Sequence, residues 1–373
     1  MSLLHPPISL QRQPSRRCRR TRGTVVVTVL LSWWLSACGS TVSRAATGDA
    51  QIERVLFAMG TDLHLLVTAA DRATALNASE VVVRAIEATE ARLSTWREDS
   101  ELSRLNRTPL GQPFELSGPT ARDLARALEL ARITDGAFDP TVGALIEAWD
   151  LRGNGRVPSD DELGAALART GFEHLELNGN WITRHADVQL DAGAFGKGAG
   201  LDAALLALAD TDAVHARINL GGQIALLGST RQDIEIAHPL DRPTPAAVLS
   251  IDHGSVATTG NSERSVQVDG TRIGHVLDPR TGRPARDFGS STVVAASALD
   301  ADALATAAFV LGPASPMFEA RGDRVLWILA TNGTDSSAVH TSNLTGHVRL
   351  LKEHADQVPP DGDTAGGIPR STN

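Results

Sequence analysis

Hydrophobic and polar positions alternate over residues 52–58 and 62–68, on either side of Met59-Gly60-Thr61, which predicts two strands joined as a hairpin. Between residues 75 and 93, Val82, Ile86 and Leu93 mark the apolar face of a helix. The stretch that follows, up to Leu102, is polar and reads as a loop carrying Trp96. A second helix is predicted over 117–134, where Leu124, Leu128 and Ala131 share a face and Gly136 stands at the C-cap position. Asp139-Pro140 then reads as the N-cap and first residue of a further helix. Residues 153–162 are rich in turn formers and lead into a helix over 160–170. Residues 181–190 read as a strand, 190–202 as a glycine-rich turn and 201–209 as an Ala/Leu-rich helix. Further strands are predicted over 216–220 and 224–227, around Gly221-Gly222, and over 233–237 and 247–251. Residues 255–261 are small and hydroxyl-rich, as suits a place where backbone approaches a ligand, and Thr259 is its candidate contact. A hairpin over 266–268 and 272–277, a strand over 291–296 and a helix over 299–311 closed by Gly312 follow. Helices and strands interspersed with hairpins give an α+β class with mixed or antiparallel sheets.

The first 37 residues change the picture. Six arginines and no acid precede an apolar run and then Leu35-Ser36-Ala37-Cys38, the order of a secretory signal peptide. The apolar run is too short for a stable membrane span. Leu-Ser-Ala-Cys resembles a bacterial lipobox, which would leave Cys38 as a lipid-modified N-terminus on an exported, membrane-anchored protein. Residues 38–51 suit a flexible tether, 52–352 one catalytic domain, and 353–373, rich in Pro, Gly and Asp, a disordered tail. Removal of residues 1–37 moves the net charge from −9 to −15, which argues against a nucleic-acid partner. The other cysteine, Cys18, leaves with the signal, so neither a disulfide nor thiolate chemistry remains to the exported domain.

Candidate chemistry is sparse and therefore informative. The stretch Leu190-Asp191-Ala192-Gly193-Ala194-Phe195-Gly196-Lys197-Gly198-Ala199-Gly200 holds one of only two lysines, the other being Lys352. A glycine turn before a helix can bring bare amides to an anion, and it can equally be a tight turn with no ligand. It fits neither the P-loop nor the dinucleotide fingerprint. Asp302 and Thr306, four apart on one helix, share a face and with Asp300 offer oxygen donors to a hard cation; the dipole at a helix start explains Asp302 as well. His275 can act as a general base or phosphate contact, or be a hydrogen-bonded hairpin residue. Trp96 can stack on a flat ring or anchor a core. Serine-hydrolase elbows, zinc-protease helices and cysteine clusters are absent from the sequence.

Taken in order, Met59-Gly60-Thr61, Leu93-Ser94-Thr95-Trp96, Gly136-Ala137-Phe138-Asp139-Pro140-Thr141-Val142-Gly143, the stretch 191–198, Asn219-Leu220-Gly221-Gly222, Ser255-Val256-Ala257-Thr258-Thr259-Gly260, the stretch 275–282 and Asp302-Ala303-Leu304-Ala305-Thr306 closely resemble the ApbE family, over residues 52–350. Its members are FAD:protein FMN transferases, often exported lipoproteins. The resemblance implies a T-fold-like catalytic domain of two lobes. It implies that Met59 lines the flavin pocket and Trp96 stacks on the isoalloxazine. Ala137, Phe138 and Asp139 would contact the adenosine side or ribityl chain, and Asp191 and Lys197 the FAD. The Ala194 carbonyl with Asp302 and Thr306 would hold Mg2+, and His275 and Asp302 would be catalytic. The acceptor would be a Ser or Thr in a flavinylation motif of an exported protein. Two other readings keep the site: water as acceptor, making an FAD pyrophosphatase, or a flavin-binding lipoprotein without turnover. Gln223, Asn261-Ser262 and Ala199-Gly200 depart from the family pattern.

Overall fold

The structure is a computed structural model that describes residues 49–262, 265–268, 270–330, 337–344 and 346–351. The expected signal peptide, Cys38, most of the tether, Lys352 and the tail lie outside the described residues. The first strand, Ala50–Ala58, begins within the stretch expected to be tether, so the fold starts two residues earlier.

An eight-stranded sheet forms the frame. In spatial order its strands are Ala50–Ala58, Thr61–Ala69, Ala213–Leu220, Gln223–Leu227, Gly254–Gly260, Gly289–Ala295, Arg324–Ala330 and Ser337–Ser342. Each neighbouring pair in it is antiparallel. Alternation decides its two faces. Leu63, Leu65, Val67, Ile218 and Leu220 pack on the helices Arg72–Leu93 and Gly196–Leu208. Farther along the same face, Ala257, Val293, Val325 and Trp327 pack with the helices Gly118–Ile133 and Ala298–Leu311. Their neighbours Ile224, Val256, Val294, Leu326 and Ile328 point the other way. They meet Ile234, Ile236, Leu249 and Ile251 of a small sheet made by Gln232–Ala237, Pro245–Ile251 and Val348–Leu350.

Turn chemistry explains the hairpins. Met59 and Gly60 both have positive φ, at 51° and 75°, as a two-residue hairpin turn needs, and Gly221 and Gly222 repeat this at 56° and 86°. Among the helices, Gly118–Ile133 starts on the side chain of Ser117 and is closed by the Gly136 amide, which donates to the Ala131 carbonyl at 2.9 Å.

Four expectations are corrected. The polar stretch after Leu93 contains a short helix, Glu101–Arg107, capped by the Ser100 side chain. Asp139 is not an N-cap: the next helix, Gly143–Ala148, follows Val142 without a side-chain cap. The Asp139 carboxylate instead accepts from the Thr141 amide at 2.8 Å and hydroxyl at 2.7 Å and from the Phe172 amide at 3.0 Å, bracing a loop. The strand predicted over 181–190 ends at Arg184. The glycine stretch is only partly a turn, since the helix Gly196–Leu208 begins inside it.

Candidate active site

Two helix starts define the site. The helices Gly196–Leu208 and Ala298–Leu311 cross close to their N-termini, and each lends the other an aspartate. Asp202 accepts from the Ser297 hydroxyl at 2.7 Å and from the amides of Ala298 at 2.6 Å and Leu299 at 3.0 Å. Asp302 accepts from the Gly198 amide at 3.1 Å and pairs with the Lys197 ammonium at 3.4 Å. Exposed amides and aligned dipoles at both starts favour these carboxylates. The close crossing requires glycine: a Cβ on Gly198 would overlap the Ala298 carbonyl and lie 2.5 Å from Leu299 Cα. Gly200 leaves room for Met59, whose sulfur would stand 3.0 Å from a Cβ there. Gly198 and Gly200 therefore serve helix packing, where the sequence alone left an amide cradle and a ligand-free turn equally open.

The loop before the first of these helices is held by its neighbours. Asn106, on the short Glu101–Arg107 helix, exchanges two 2.9 Å hydrogen bonds with the Leu190 backbone. The Asp191 amide donates to the Pro140 carbonyl and the Gly143 amide to that of Gln189, at 2.8 and 2.9 Å. Phe138 and Phe195 meet edge to face at 6.4 Å between centroids. The segments 137–143 and 189–197, distant in sequence, thus share one wall.

That wall, the Met59 hairpin, the Trp96 loop, several main-sheet strands and part of the small sheet surround a cleft of about 1690 Å³. All the predicted site residues line it: Met59, Trp96, Ala137, Phe138, Asp139, Asp191, Ala194, Lys197, Thr259, His275, Asp302 and Thr306. They are not equally available. Trp96 is 74% exposed, so its ring is no core anchor. Ala137 and Phe138 are buried and belong to the hydrophobic core. Both Asp139 oxygens are engaged in bracing the loop, and burial pushes its carboxyl above the usual range against those hydrogen bonds. Asp300 does not join the site; Arg126 holds it in a two-pronged pair at 2.7 and 2.6 Å.

A model of the ApbE family matches residues 59–325. The chain is a member of the ApbE family. It is 31% identical over 270 residues to the FAD:protein FMN transferase of Vibrio cholerae, covering 70% of this chain and 81% of that one. The Treponema pallidum protein of the same name is 34% identical over 259 residues, covering 63% and 71%. Among solved structures, the ApbE protein of Thermotoga maritima superposes with a TM-score of 0.71 at 30% identity, over 79% of this chain and 98% of that one. The flavin transferase ApbE of Vibrio cholerae does so with 0.70 at 29%, over 80% and 100%.

Against the ApbE pattern, the departure at Gln223 has a local explanation. Its side-chain amide donates to the Ala298 carbonyl at 2.7 Å, tying the main sheet to the second helix start outside the cleft lining. Several cleft residues escaped the sequence reading, among them Glu90, Arg217 and Arg152. Glu90 accepts from the Met59 amide at 3.0 Å and fixes the hairpin turn. Arg217 projects from a main-sheet strand. Arg152 pairs with Asp191, and its guanidinium carbon lies 4.9 Å from the centroid of the Trp96 ring. Their only sequence signal was charge, which a solvated surface produces equally well.

The donor set suits a hard cation. The Asp302 carboxylate, the Thr306 hydroxyl and the Ala194 carbonyl line the same cleft and are all oxygen donors. Thr306 donates its hydroxyl hydrogen to the Asp302 carbonyl at 3.2 Å, which leaves oxygen lone pairs for a ligand. Among the described residues no three His, Cys, Asp or Glu side chains converge. A softer or all-protein metal site is not what these residues build.

Proposed function

We propose that this chain transfers FMN from FAD to a Ser or Thr hydroxyl of an acceptor protein and releases AMP. The observation that carries the reading is the meeting of Lys197, Asp302, Thr306, His275 and Trp96 in one cleft, in a member of a family whose relatives are named for this activity. The cleft exceeds the roughly 300–1000 Å³ of ordinary small-ligand pockets, so a dinucleotide leaves room for part of a second reactant.

In the proposed step the acceptor oxygen attacks the FMN phosphorus. The bond from that phosphorus to the bridging oxygen breaks, and AMP departs with the bridging oxygen. His275 takes the hydroxyl proton. Trp96 stacks on the isoalloxazine ring, and Met59 closes the pocket beside it. Lys197 offers its ammonium to the pyrophosphate at the helix start. Asp302, Thr306 and the Ala194 carbonyl would hold Mg2+, which when bound neutralises phosphate charge and aligns the displacement. In so acidic a chain, that neutralisation is needed before a dianionic pyrophosphate can settle. The proposal also has the protein exported and anchored through a lipid on Cys38, supported by the basic, apolar, small-residue order of its first 38 residues.

The test mixes purified enzyme, FAD, Mg2+ and an exported flavoprotein acceptor, and follows AMP together with the acceptor's mass. An FMN-sized mass gain matched by AMP is expected. AMP with free FMN and an unmodified acceptor would make the enzyme a pyrophosphatase, and tight FAD binding without AMP would make it a carrier.

A further inference from the structure

Arg152 stands at the tip of the turn after the helix Gly143–Ala148. Asp150 shapes that turn: it has a positive φ of 49°, and its carboxylate accepts from the Asn154 amide at 3.0 Å. Trp149 pins the base, donating its indole N–H to the Gly282 carbonyl at 2.7 Å. From this footing the Arg152 side chain reaches into the cleft and makes three contacts at once. It donates to the Thr95 hydroxyl at 2.5 Å, pairs with the Asp191 carboxylate, and lies against the Trp96 ring. The second Asp191 oxygen accepts from the Gly193 amide at 2.8 Å. The Asp191 side chain is only 8% exposed against 37% for Arg152, so this is not a solvated surface pair.

Two consequences follow for any flat, anionic ligand. A bare Asp191 carboxylate in the cleft wall would repel phosphate oxygens in a setting where water screens poorly. Without a partner on its ring, the exposed indole of Trp96 would be free to rotate on its loop, and ordering it would then cost affinity. The guanidinium removes both obstacles, since it is planar enough to lie on the ring and its positive charge balances the Asp191 carboxylate.

We propose that Arg152 is a positioning residue for the dinucleotide: it neutralises Asp191 and orients Trp96, so that FAD meets a formed, uncharged platform. This rests on the flavin reading of the cleft. FAD binding by the full chain would be measured by calorimetry for the wild type, Arg152→Met, Arg152→Lys, Asp191→Asn and the double variant Arg152→Met/Asp191→Asn. Arg152→Met is expected to raise the Kd for FAD about tenfold. In the Asp191→Asn background the same change should cost less than about threefold, because no carboxylate is left to neutralise. Arg152→Lys should recover part of the loss, and in turnover the KM for FAD should rise while kcat changes little. An equal loss from Arg152→Met in both backgrounds, or none in the wild-type background, would overturn the inference. A wild-type chain that does not bind FAD would sink the flavin reading itself, and the inference with it.

Discussion

Asp302 has two duties that its surroundings allow to be separated. Through the Gly198 amide it caps a helix of another segment, and through its charge it faces Lys197 and the proposed cation. Asparagine keeps an oxygen for the amide but loses the charge, whereas alanine loses both. Asp302→Asn should therefore leave the unfolding midpoint near the wild-type value while weakening FAD binding and abolishing AMP release. Asp302→Ala should additionally destabilise by about 1 kcal/mol, as expected for a lost cap. Full transfer activity in Asp302→Asn would refute the metal assignment. At this scale the sequence was most legible where chemistry is scarce. One of only two lysines, a histidine in a turn and an Asp/Thr pair on one helix face stand out because few alternatives exist, and all lie in the cleft. Arg152 did not stand out, being one of many arginines, and only the fold brings it to Trp96 and Asp191.

Between elements, what matters is how closely two helix starts approach. Gly198 permits the approach, and the atoms a Cβ would strike are backbone atoms of Ala298 and Leu299, which cannot swing aside. Gly198→Ala should cost about 1–3 kcal/mol in chemical denaturation despite alanine's better helix propensity; a stabilised variant would show that the crossing can open. A peripheral helix offers a contrast. Asp160–Leu167 opens with a capping box in which the Glu162 carboxylate accepts from the Ser159 amide and hydroxyl and pairs with Arg156. These contacts, the Ser159 amide first, pull its pKa from 4.5 to about 2. A depressed carboxylate contributes stability that is complete above its unfolded pKa and disappears as pH falls through the folded one. The stability gap between wild type and Glu162→Gln should thus be constant above about pH 5 and narrow steadily toward pH 3; a gap that widens on acidification would contradict the box. Both features also show where element boundaries were hard to read. The Ser159 cap is a local feature, and this helix starts at Asp160 where the sequence placed it. The start at Gly196 has no side-chain cap of its own and depends on Asp302, more than a hundred residues away, so the glycines read as a turn.

For the molecule as a whole, the α+β class was legible from alternating strands and two glycine-marked hairpins. The pairing of eight strands into one frame was not, because register across distant segments is set by packing of both faces rather than by any local pattern. The acidic charge bears on the whole molecule too. If residues 1–37 are removed as proposed, the net charge of −15 would repel the domain from anionic lipid surfaces, so electrostatics alone would not keep it at a membrane. Among the described residues no helix is long and apolar enough to cross one. On the proposed reading, attachment would come from the lipid on Cys38. The twelve residues from Cys38 to the first strand at Ala50 could span at most roughly 40 Å, so the proposed lipid anchor would keep acceptors at the same membrane within reach. In a bacterial host, Cys38→Ala is expected to move the protein from the membrane to the soluble exported fraction and to remove a lipid-sized mass from its N-terminus. The purified variant should still release AMP from FAD at close to the wild-type rate, since Cys38 precedes every described element of the fold. Membrane retention of Cys38→Ala would show that something other than the lipid holds the chain, and lost activity would mean that the anchor also shapes the site.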